Sequence, residues 1–364
     1  MTDSGFNPRN AKPAPIDDPK VDQFKLRNGD FIISRSNTPE KVGRTALFKG
    51  EIKNCSYPDL MMKFRINEEV ADAGFIEKLL SSKRIQQYYK SHSAGSSSTM
   101  VKINKATVKK TPVFLPPLPE QKAIADLLLT WDITIEKTER LIAAKEKRFK
   151  WLLKKLITEP QEKQNGIKWE KVKLSSICKI ADKQKLTSLE NHFLLTVKLH
   201  CLGIERNNRI KPRLTKNGRP YCQHKSGDFL IGRQNFHNGG FGIISTKLDG
   251  GITSNAISCL IVKESKLSKT FLWYQFSNPN YYKKIGHVMD GTGQKELSEK
   301  QILKLQVRLP SLKEQERIAK MLNIACKEID LHKKQLAAFK ELKHGLMQKL
   351  LTGQWRVKVS EEVA

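Results

Sequence analysis

The chain has 364 residues, and its 66 Lys and Arg against 37 Asp and Glu give a formal net charge of +29 and an isoelectric point near 9.8. A charge of this size repels itself, so it predicts a polyanionic partner, with DNA or RNA as the first choice. No apolar run approaches the roughly 20 residues of a membrane span and no secretory signal is visible, so we expect neither a membrane protein nor a secreted one. The 6 cysteines form no CxxC pair, and we expect reduced thiols and a cytoplasmic location.

The first part of the chain predicts a tail followed by a small mixed domain. Residues 1–23 are rich in Pro, Asp, Asn and Lys, which is typical of a disordered tail. A β-rich block follows at residues 24–117, in which residues 29–35 suggest a turn that enters a buried strand. Residues 75–89 have the apolar spacing of a helix, and the polar residues 91–98 predict a loop.

The rest of the chain repeats this order of block and helix. An amphipathic segment at residues 118–160 predicts a long helix with a polar linker at its end. A second block, residues 161–308, carries many Gly, Asn and β-branched residues, which favour short strands and tight turns. A second amphipathic segment at residues 309–355 precedes a short tail at residues 356–364. The order predicts two domains, each followed by one long helix.

The two halves share sequence motifs. Leu-Pro-Pro-Leu-Pro-Glu-Gln at residues 115–121 returns as Leu-Pro-Ser-Leu-Lys-Glu-Gln at residues 309–315, and the copies align without a gap to a shared Lys-Leu-(Ile/Leu)-Thr. Gly29-Asp30-Phe31 likewise returns as Gly227-Asp228-Phe229. The first block has no counterpart of the segment that opens the second, Trp169-Glu170-Lys171-Val172-Lys173-Leu174. The repeat therefore predicts two domains of one kind, the first of them shortened.

Both long segments carry one apolar stripe with alternating spacings of four and three, the heptad rhythm of a coiled coil. Such a helix must bury its stripe, and the other copy is the natural partner. Lys145 stands where the second copy has Phe339, and Phe149 where it has Lys343, a reciprocal mismatch that favours pairing within the chain. The alternative is that each stripe packs on its own domain. We expect the helix interface to contain Ile124, Leu128, Trp131, Ile135, Ile142, Ile318, Leu322, Ile329, Leu336 and Phe339.

These motifs resemble a known family. The two Leu-Pro-x-Leu-x-Glu-Gln starts, each followed by a long helix ending Lys-Leu-(Ile/Leu)-Thr, are similar to the spacer regions of the specificity subunit of type I restriction-modification systems. The opening motif at residues 169–174 resembles the start of a target recognition domain. The Gly-Asp-Phe strands and Gly-Thr-Gly-Gln-Lys at residues 291–295 also fit. The resemblance spans about residues 24 to 355.

The resemblance implies an α+β protein with two target recognition domains that have β-rich cores, the first shortened, joined by two long antiparallel coiled-coil spacer helices. Each domain of such a subunit reads one half of a bipartite sequence in double-stranded DNA, and the helices set the gap. Two methyltransferase subunits dock on the helices and use S-adenosylmethionine, which the specificity subunit does not bind itself. Two restriction subunits can join. The short first domain departs from this pattern and fits a fragment, a degenerate copy or a product of domain-swapping recombination.

Sequence motifs for catalysis or metal binding do not fit their families. Asn278-Pro279-Asn280-Tyr281 lacks the Asn/Asp-Pro-Pro-aromatic order of an adenine methyltransferase. The Lys of residues 291–295 follows Gln, whereas a phosphate-binding loop ends Gly-Lys-Ser/Thr. His200-Cys201 and Cys222-x-His224 lack the usual spacing of zinc ligands. We therefore expect no metal, no directly bound cofactor and no catalytic residues.

Candidate DNA-binding residues follow both Gly-Asp-Phe strands. Base readout uses Arg or Lys for guanine and Asn or Gln for adenine, and residues 233–235 and 35–37 offer both types at matching positions. Their alternative role is to cap the strand and hold the turn. Basic residues between 206 and 219 suit phosphate contacts, with a solvated charge run as the alternative. We expect DNA contacts at Arg35, Asn37, Arg44, Lys211, Arg213, Lys216, Arg219, Arg233, Gln234, Asn235 and Lys295.

The sequence as a whole predicts the non-catalytic, DNA-binding specificity subunit of a type I restriction-modification complex, which positions methyltransferase and restriction subunits on a bipartite target. One alternative is a degenerate specificity subunit, a scaffold or decoy that binds the methyltransferase without full DNA recognition. The enzymatic alternative is a nuclease with an unrecognised site, and the Gly/Asn-rich domains show no carboxylate cluster that would support it.

Overall fold

The chain folds into two compact units. The computed structural model describes residues 5–13, 21–97, 99–159, 169–182, 185–214, 220–287, 289 and 296–359. One unit combines residues 1–141 with 332–364, and the other consists of residues 142–331. The boundary lies inside both long helices, so each unit contains one domain and a part of each helix. Among the described helices, none is both long and apolar enough to cross a membrane.

The described residues of the first domain form two small antiparallel sheets and three short helices. β1 lies at the centre of the sheet ordered β3-β1-β4, and β6 at the centre of the sheet ordered β2-β6-β5. The strands are β1 (Phe31–Ser34), β2 (Ser36–Asn37), β3 (Thr45–Leu47), β4 (Met61–Phe64), β5 (Ala94–Ser97) and β6 (Met100–Lys102). The helices are α1 (Ala73–Leu80), α2 (Lys83–Ser91) and α3 (Lys105–Lys109), and 3-10 turns lie at Pro8–Asn10 and Val21–Phe24.

Strand β1 is buried on both faces because it separates two apolar clusters. Phe31 and Ile33 face the cluster that contains the apolar side of α1, whereas Ile32 faces a smaller cluster with Phe48. The ring of Phe6, from the segment predicted to be a disordered tail, lies 5.2 Å from the ring of Phe48. The Gly-Asp-Phe strand thus forms the centre of the first domain.

The helix predicted for residues 75–89 forms with an interruption. Its apolar residues are buried as expected, but Ser82 is extended (φ −65°, ψ 149°) and separates α1 from α2. The N–H of Ser81 donates to the carbonyls of Glu77 and Leu79 and caps α1, so the helix ends at this point. The loop predicted for residues 91–98 is partly wrong, since residues 94–97 form β5 and pair with β6.

The second domain is larger and stands between the two long helices in sequence. The first long helix, α4 (Leu118–Leu153), ends in a π-helical turn at Lys154–Thr158. The strands that follow are β7 (Glu170–Lys173), β8 (Cys178–Ile180), β9 (Leu195–Val197), β10 (Ile204–Arg206), β11 (Tyr221–Gln223), β12 (Phe229–Gly232), β13 (Phe241–Ile243), β14 (Ile252–Ser254), β15 (Ile257–Val262) and β16 (Gln306–Leu309). The helices are α5 (Lys269–Phe276), α6 (Pro279–Ile285), α7 (Glu299–Lys304) and the second long helix, α8 (Leu312–Leu350); 3-10 turns lie at Leu174–Ser176, Arg233–Asn238 and Thr246–Leu248.

The second domain repeats the centre of the first. Its main antiparallel sheet is ordered β13-β12-β15-β8, and the pairs β9–β10, β11–β14 and β7–β16 surround it. All four residues of β12 are buried, as in β1. Phe229 and Ile231 pack in the cluster that contains Phe271 and Phe276 of α5, whereas Leu230 faces a separate cluster. The Gly-Asp-Phe repeat is therefore a structural repeat.

A buried glutamine explains the repeated start of the long helices. The side-chain amide of Gln121 donates to the carbonyls of Val70 (3.0 Å) and Pro116 (2.8 Å). Its oxygen accepts from the N–H of Asp72 at 2.9 Å. Since Asp72 also caps α1, this one side chain joins the start of α4 to the loop that begins the first domain helix.

The second copy makes the same three bonds. The amide of Gln315 donates to the carbonyls of Lys266 and Pro310, and its oxygen accepts from the N–H of Ser268, all at 3.0 Å. Ser268 caps α5 just as its counterpart caps α1. The motif is thus preserved between copies because a fully buried amide must satisfy three backbone groups at this junction.

Contacts between the long helices in the first unit show that the helices run antiparallel there. In the first unit, Glu139 of α4 pairs with Lys340 of α8 at 2.6 Å. Nearer the start of α4, Glu120 bonds Arg356, which lies beyond the end of α8, at 2.8 Å. In the second unit, Lys145 pairs with Glu328 at 2.6 Å. Residue numbers therefore fall along α8 as they rise along α4, which confirms the predicted antiparallel pair.

The predicted interface residues of the helices are all buried or half-buried. Ile124 and Leu128 also belong to the cluster that holds α1, and Ile318 and Leu322 to the cluster that holds α5. Both expected packings therefore occur: each stripe meets the other helix and, near its start, its own domain. The buried members are Ile124, Leu128, Ile142, Ile318, Leu322 and Ile329, and the half-buried ones are Trp131, Ile135, Leu336 and Phe339.

The described parts of the two domains differ at the segment that leads into each long helix. In the second unit, β16 leads into α8 and pairs with β7 along its whole length. The counterpart of β16 is residues 112–115, which have no strand partner among the described residues of the first unit. Val113, Phe114 and Leu115 consequently remain exposed. The strand that opens the second domain has no described equivalent beside them.

Candidate nucleic-acid interface

The residues predicted to read bases stand next to a tight turn. Gly227 has φ +84°, which favours glycine, and the Asp228 carboxylate accepts the backbone N–H of Lys225 at 2.9 Å. The first domain repeats this turn at Gly29 (φ +88°) and Asp30. In both copies the turn starts the buried central strand, and the candidate residues follow where that strand ends.

Arg233 is held by carboxylates of its own domain. Its guanidinium lies 2.9 Å from Glu296 and 3.8 Å from Glu299, and its backbone carbonyl accepts the N–H of Leu297 at 3.0 Å. The side chain is 20% exposed, so its charge is largely used inside the protein. These partners lie about 60 residues away in sequence, which is why sequence patterns did not indicate them. A DNA contact by Arg233 stays a prediction.

The amides that follow are more accessible. Gln234 is half-buried and Asn235 is exposed, both within the 3-10 turn at Arg233–Asn238. Phe236 is fully buried and anchors this turn in the core. The carbonyl of Asn235 accepts the N–H of Gly240 at 2.8 Å, which fixes the backbone while the side chain stays free for solvent. The turn thus presents an amide from a rigid support, the type of group that pairs with adenine.

A β-hairpin that the sequence did not predict lies against this turn. The tip between β9 and β10 bonds to it through His200 N–H to the Asn238 carbonyl (2.7 Å) and Cys201 N–H to the Gly239 carbonyl (2.9 Å). His200 and Cys201 both have φ +58°, an unfavourable backbone for these residues. Leu202 at the tip is 66% exposed. The tip therefore presents an exposed apolar side chain from a backbone that hydrogen bonds hold against the turn.

The other end of the hairpin carries the basic segment. The Asn207 carboxamide oxygen accepts the N–H groups of Arg209 (2.9 Å) and Ile210 (3.0 Å), so the segment begins with an ordered turn. Arg209, Lys211 and Arg213 are exposed, and no carboxylate of the described residues lies within ion-pair distance of them. Exposed basic side chains of this kind suit contacts with phosphate groups. The predicted residues Lys216, Arg219 and Lys295 lie outside the described residues.

The matching residues of the first domain are arranged differently. Arg35 is exposed and Arg44 is half-buried. The Asn37 side chain donates to the Ser34 hydroxyl (3.2 Å) and accepts the N–H of Thr38 (2.9 Å), so it holds the turn. Of the three predicted residues, Arg35 has the most accessible side chain. Their contact with DNA stays a prediction.

The long helices expose large apolar residues outside their shared seam. Leu331 is 65% exposed and Ile324 58% exposed, although a helix in water normally turns such residues inward. Both helices carry exposed apolar residues of this kind. The further members are Leu127, Leu129, Ile133, Leu141, Trp151, Met321 and Leu342.

Metal-ligand residues come together at one place among the described residues. His224, Asp228 and Cys259 offer ligand atoms within 4.8 Å of one another. The two short motifs of the sequence, His200-Cys201 and Cys222-x-His224, do not form this group. Only His224 belongs to it. The grouping was hidden from the sequence because β15 brings Cys259 to the turn from a distant segment.

Comparisons with known proteins agree with this architecture. A family model of the type I restriction modification DNA specificity domain matches residues 17–146 and 166–341, well over half of the chain. The type I restriction enzyme MjaVIII specificity subunit of Methanocaldococcus jannaschii is 25% identical over 358 residues, which cover 92% of this chain and 82% of that protein. A putative MjaX specificity subunit of the same organism is 25% identical over 362 residues, with 93% and 81% covered.

Solved structures share the fold. The type I restriction-modification S subunit from M. genitalium has a TM-score of 0.58 at 17% identity, over 93% of this chain and 86% of that one. A chain from a study of assembly and conformational transition of the type I R-M system has a TM-score of 0.53 at 18% identity, over 91% and 83%. The matched domain model confirms the predicted family, and the likeness to solved structures confirms the predicted fold. The chain belongs to the family of type I restriction-modification DNA specificity subunits.

Proposed function

We propose that this chain recognises a two-part sequence in double-stranded DNA and positions two adenine methyltransferase subunits on it. The observation that carries the proposal is the repeated arrangement of the two units, each with one domain and a part of both long helices. Two equivalent domains suit two half-sites, and helices of 36 and 39 residues suit a fixed gap. The net charge of +29 supports strong attraction to phosphates.

In the second domain, the exposed amide of Asn235 and the hairpin tip at Leu202 would meet the base edges. Arg209, Lys211 and Arg213 would contact phosphates, which fixes the orientation of the domain on the duplex without reading sequence. Arg233 would act indirectly, because its ion pairs with Glu296 and Glu299 hold the turn that presents Asn235. Recognition of bases and orientation of the domain on the duplex would thus depend on different residues of one domain.

The methyltransferase subunits would dock on the exposed apolar residues of the long helices and would bind S-adenosylmethionine themselves. Restriction subunits would join this assembly as further partners. Support comes from Ile324 and Leu331, which are exposed beside a seam that is already buried. Apolar surface of this kind is costly in water unless a partner covers it.

A selection experiment tests the proposal. The purified complex of this chain with its methyltransferase is offered random duplexes, and bound sequences are determined. We expect two short conserved blocks with a fixed gap, and Asn235→Ala should relax one block while leaving the other unchanged. Asn280→Ala, which alters an exposed residue of α6, is the matched control. Unchanged preference in Asn235→Ala would refute the assigned reading surface, and the absence of any split motif would refute the function.

The second candidate is a scaffold that binds the methyltransferase without full DNA recognition. It is favoured by residues 112–115, which have no strand partner in the described part of the first unit, and by Asn37, whose side chain is engaged within its own domain. A stable complex that enriches no sequence would support this candidate. A complex that enriches only one block would assign recognition to the second domain alone.

A further inference from the structure

The group formed by His224, Asp228 and Cys259 has the donors of a zinc site, and we propose that it binds one zinc ion. The ligand atoms lie within 4.8 Å of one another, and His224 and Cys259 are buried. One imidazole nitrogen, one thiolate and one carboxylate oxygen form a set that zinc prefers, with a fourth position for water. The Asp228 side chain is 33% exposed, which leaves a path for the ion and that water.

Hydrogen-bonded strands hold the backbones of all three residues. Cys259 lies in β15 directly opposite Leu230 of β12. Asp228 is the residue before β12, and His224 is the residue after β11. The ligand atoms are at most 4.8 Å apart, whereas atoms bound to one zinc ion at about 2.0–2.3 Å lie closer together, so the three side chains would move toward one another on binding.

The second ring nitrogen of His224 already has the partner that a zinc ligand needs. Nε2 lies 2.7 Å from the hydroxyl of Thr253, and Nδ1 is the atom that faces Asp228, at 3.8 Å. With its hydrogen on Nε2 and donated to Thr253, the ring presents the lone pair of Nδ1 to the ion. Burial lowers the pKa of His224, so the ring is neutral and able to bind metal at pH 7.

In the first domain, basic side chains neutralise the aspartate that corresponds to Asp228. Asp30 is the counterpart of Asp228, and Lys63, opposite Ile32, stands where the second domain has Cys259. The Lys63 ammonium lies 3.7 Å and the Arg65 guanidinium 2.6 Å from the Asp30 carboxylate. Neither cation exists in the second copy. A bound divalent ion would supply the missing positive charge to the second carboxylate.

The lysine near the site already has an ion-pair partner. Lys269 lies close to the thiol, but its ammonium is paired with Glu264 at 2.8 Å. Without metal, burial and the Asp228 carboxylate raise the pKa of Cys259 to about 12, which keeps the thiol protonated and unreactive. Zinc would displace that proton and bind the thiolate.

Cobalt(II) and zinc alone serve as probes of the full chain, stripped with a chelator under reducing conditions. We expect cobalt to give a thiolate charge-transfer band with tetrahedral ligand-field bands that saturate at about one equivalent, and zinc to displace it. Cys259→Ser and His224→Gln should abolish the band. Thr253→Val should weaken binding about 10–100-fold, because it removes the group that orients the ring. Cys55→Ser, in the first unit, is the control and should bind normally.

Alkylation of the unaltered chain keeps the proposal testable if a variant does not fold. Mass spectrometry of the peptide that contains Cys259 should show slower modification by iodoacetamide in partly denaturing conditions when zinc is present. Equal modification with and without zinc would overturn the proposal. So would a cobalt spectrum without a thiolate band, or one that survives Cys259→Ser. None of these readouts involves DNA, so their failure is distinct from failure of the recognition function.

Discussion

Replacement of Gln315 by methionine would remove the side-chain hydrogen bonds that join α8 to the second domain, without a large change in side-chain volume. Three backbone groups would lose their partner: the carbonyls of Lys266 and Pro310 and the N–H of Ser268. Gln315 is 1% exposed, so water cannot easily replace it. At about 1 kcal/mol for each lost bond, the expected destabilisation of this junction is about 3 kcal/mol.

Hydrogen exchange followed by mass spectrometry is the suitable assay, because a protein of two units need not unfold in one step. We expect Gln315→Met to speed exchange in residues 266–271 by roughly 100-fold, the equivalent of 3 kcal/mol. Gln121→Met is the matched variant and should affect residues 70–75 instead. Equal protection in wild type and Gln315→Met would refute the reasoning, and loss of protection in both units from either variant would show that the junctions are not local.

Three further predictions concern pH, salt and length. The Arg356 hydrogen bonds lower the pKa of Glu120 despite its burial, so the contribution of this pair to stability is full above pH 4.5 and is lost as pH falls through the lowered value. The N–H of Val357, which also bonds to Glu120, should exchange faster in that window. Arg356→Leu should weaken the pH dependence without abolishing it, because the Val357 bond also lowers the pKa of Glu120. Arg213→Ala should reduce the slope of log affinity against log salt by about 1 without changing the preferred sequence, whereas an unchanged slope would exclude a phosphate contact. Insertion of seven residues into each long helix near the unit boundary adds about 10 Å and should lengthen the gap between half-sites by about three base pairs; a constant gap would contradict the role of the helices as a spacer.

The long helices could be predicted because their signal is repetitive and local. A heptad stripe continues for ten positions in each copy, and each of those positions is buried or half-buried. Even Lys145 and Lys343, which interrupt the stripe, find carboxylates on the other helix, at Glu328 and Asp132. The family followed from the same repeated motifs. A pattern sustained over many turns outweighs any single unfavourable residue.

The surroundings of the candidate site could not be predicted because they depend on distant segments. Arg233 lies in the turn that the sequence indicated, but Glu296 and Glu299 reach it only after the domain has folded. The hairpin tip at Leu202 contacts the same turn through backbone hydrogen bonds, and the order of side chains in the sequence does not indicate such bonds. Likewise, the amide of Gln121 is buried by contacts with a loop about 50 residues earlier. Motif spacing predicts secondary-structure elements, whereas tertiary contacts determine which partners each side chain has.

The most direct test of the central claim is a map of adenine methylation in DNA from cells that express this chain with its methyltransferase. Recognition of a two-part target predicts one split motif, methylated on both strands, with a constant gap between its two blocks. A single continuous motif, or a palindrome built from one block, would contradict it, because the two domains would then not read two different half-sites.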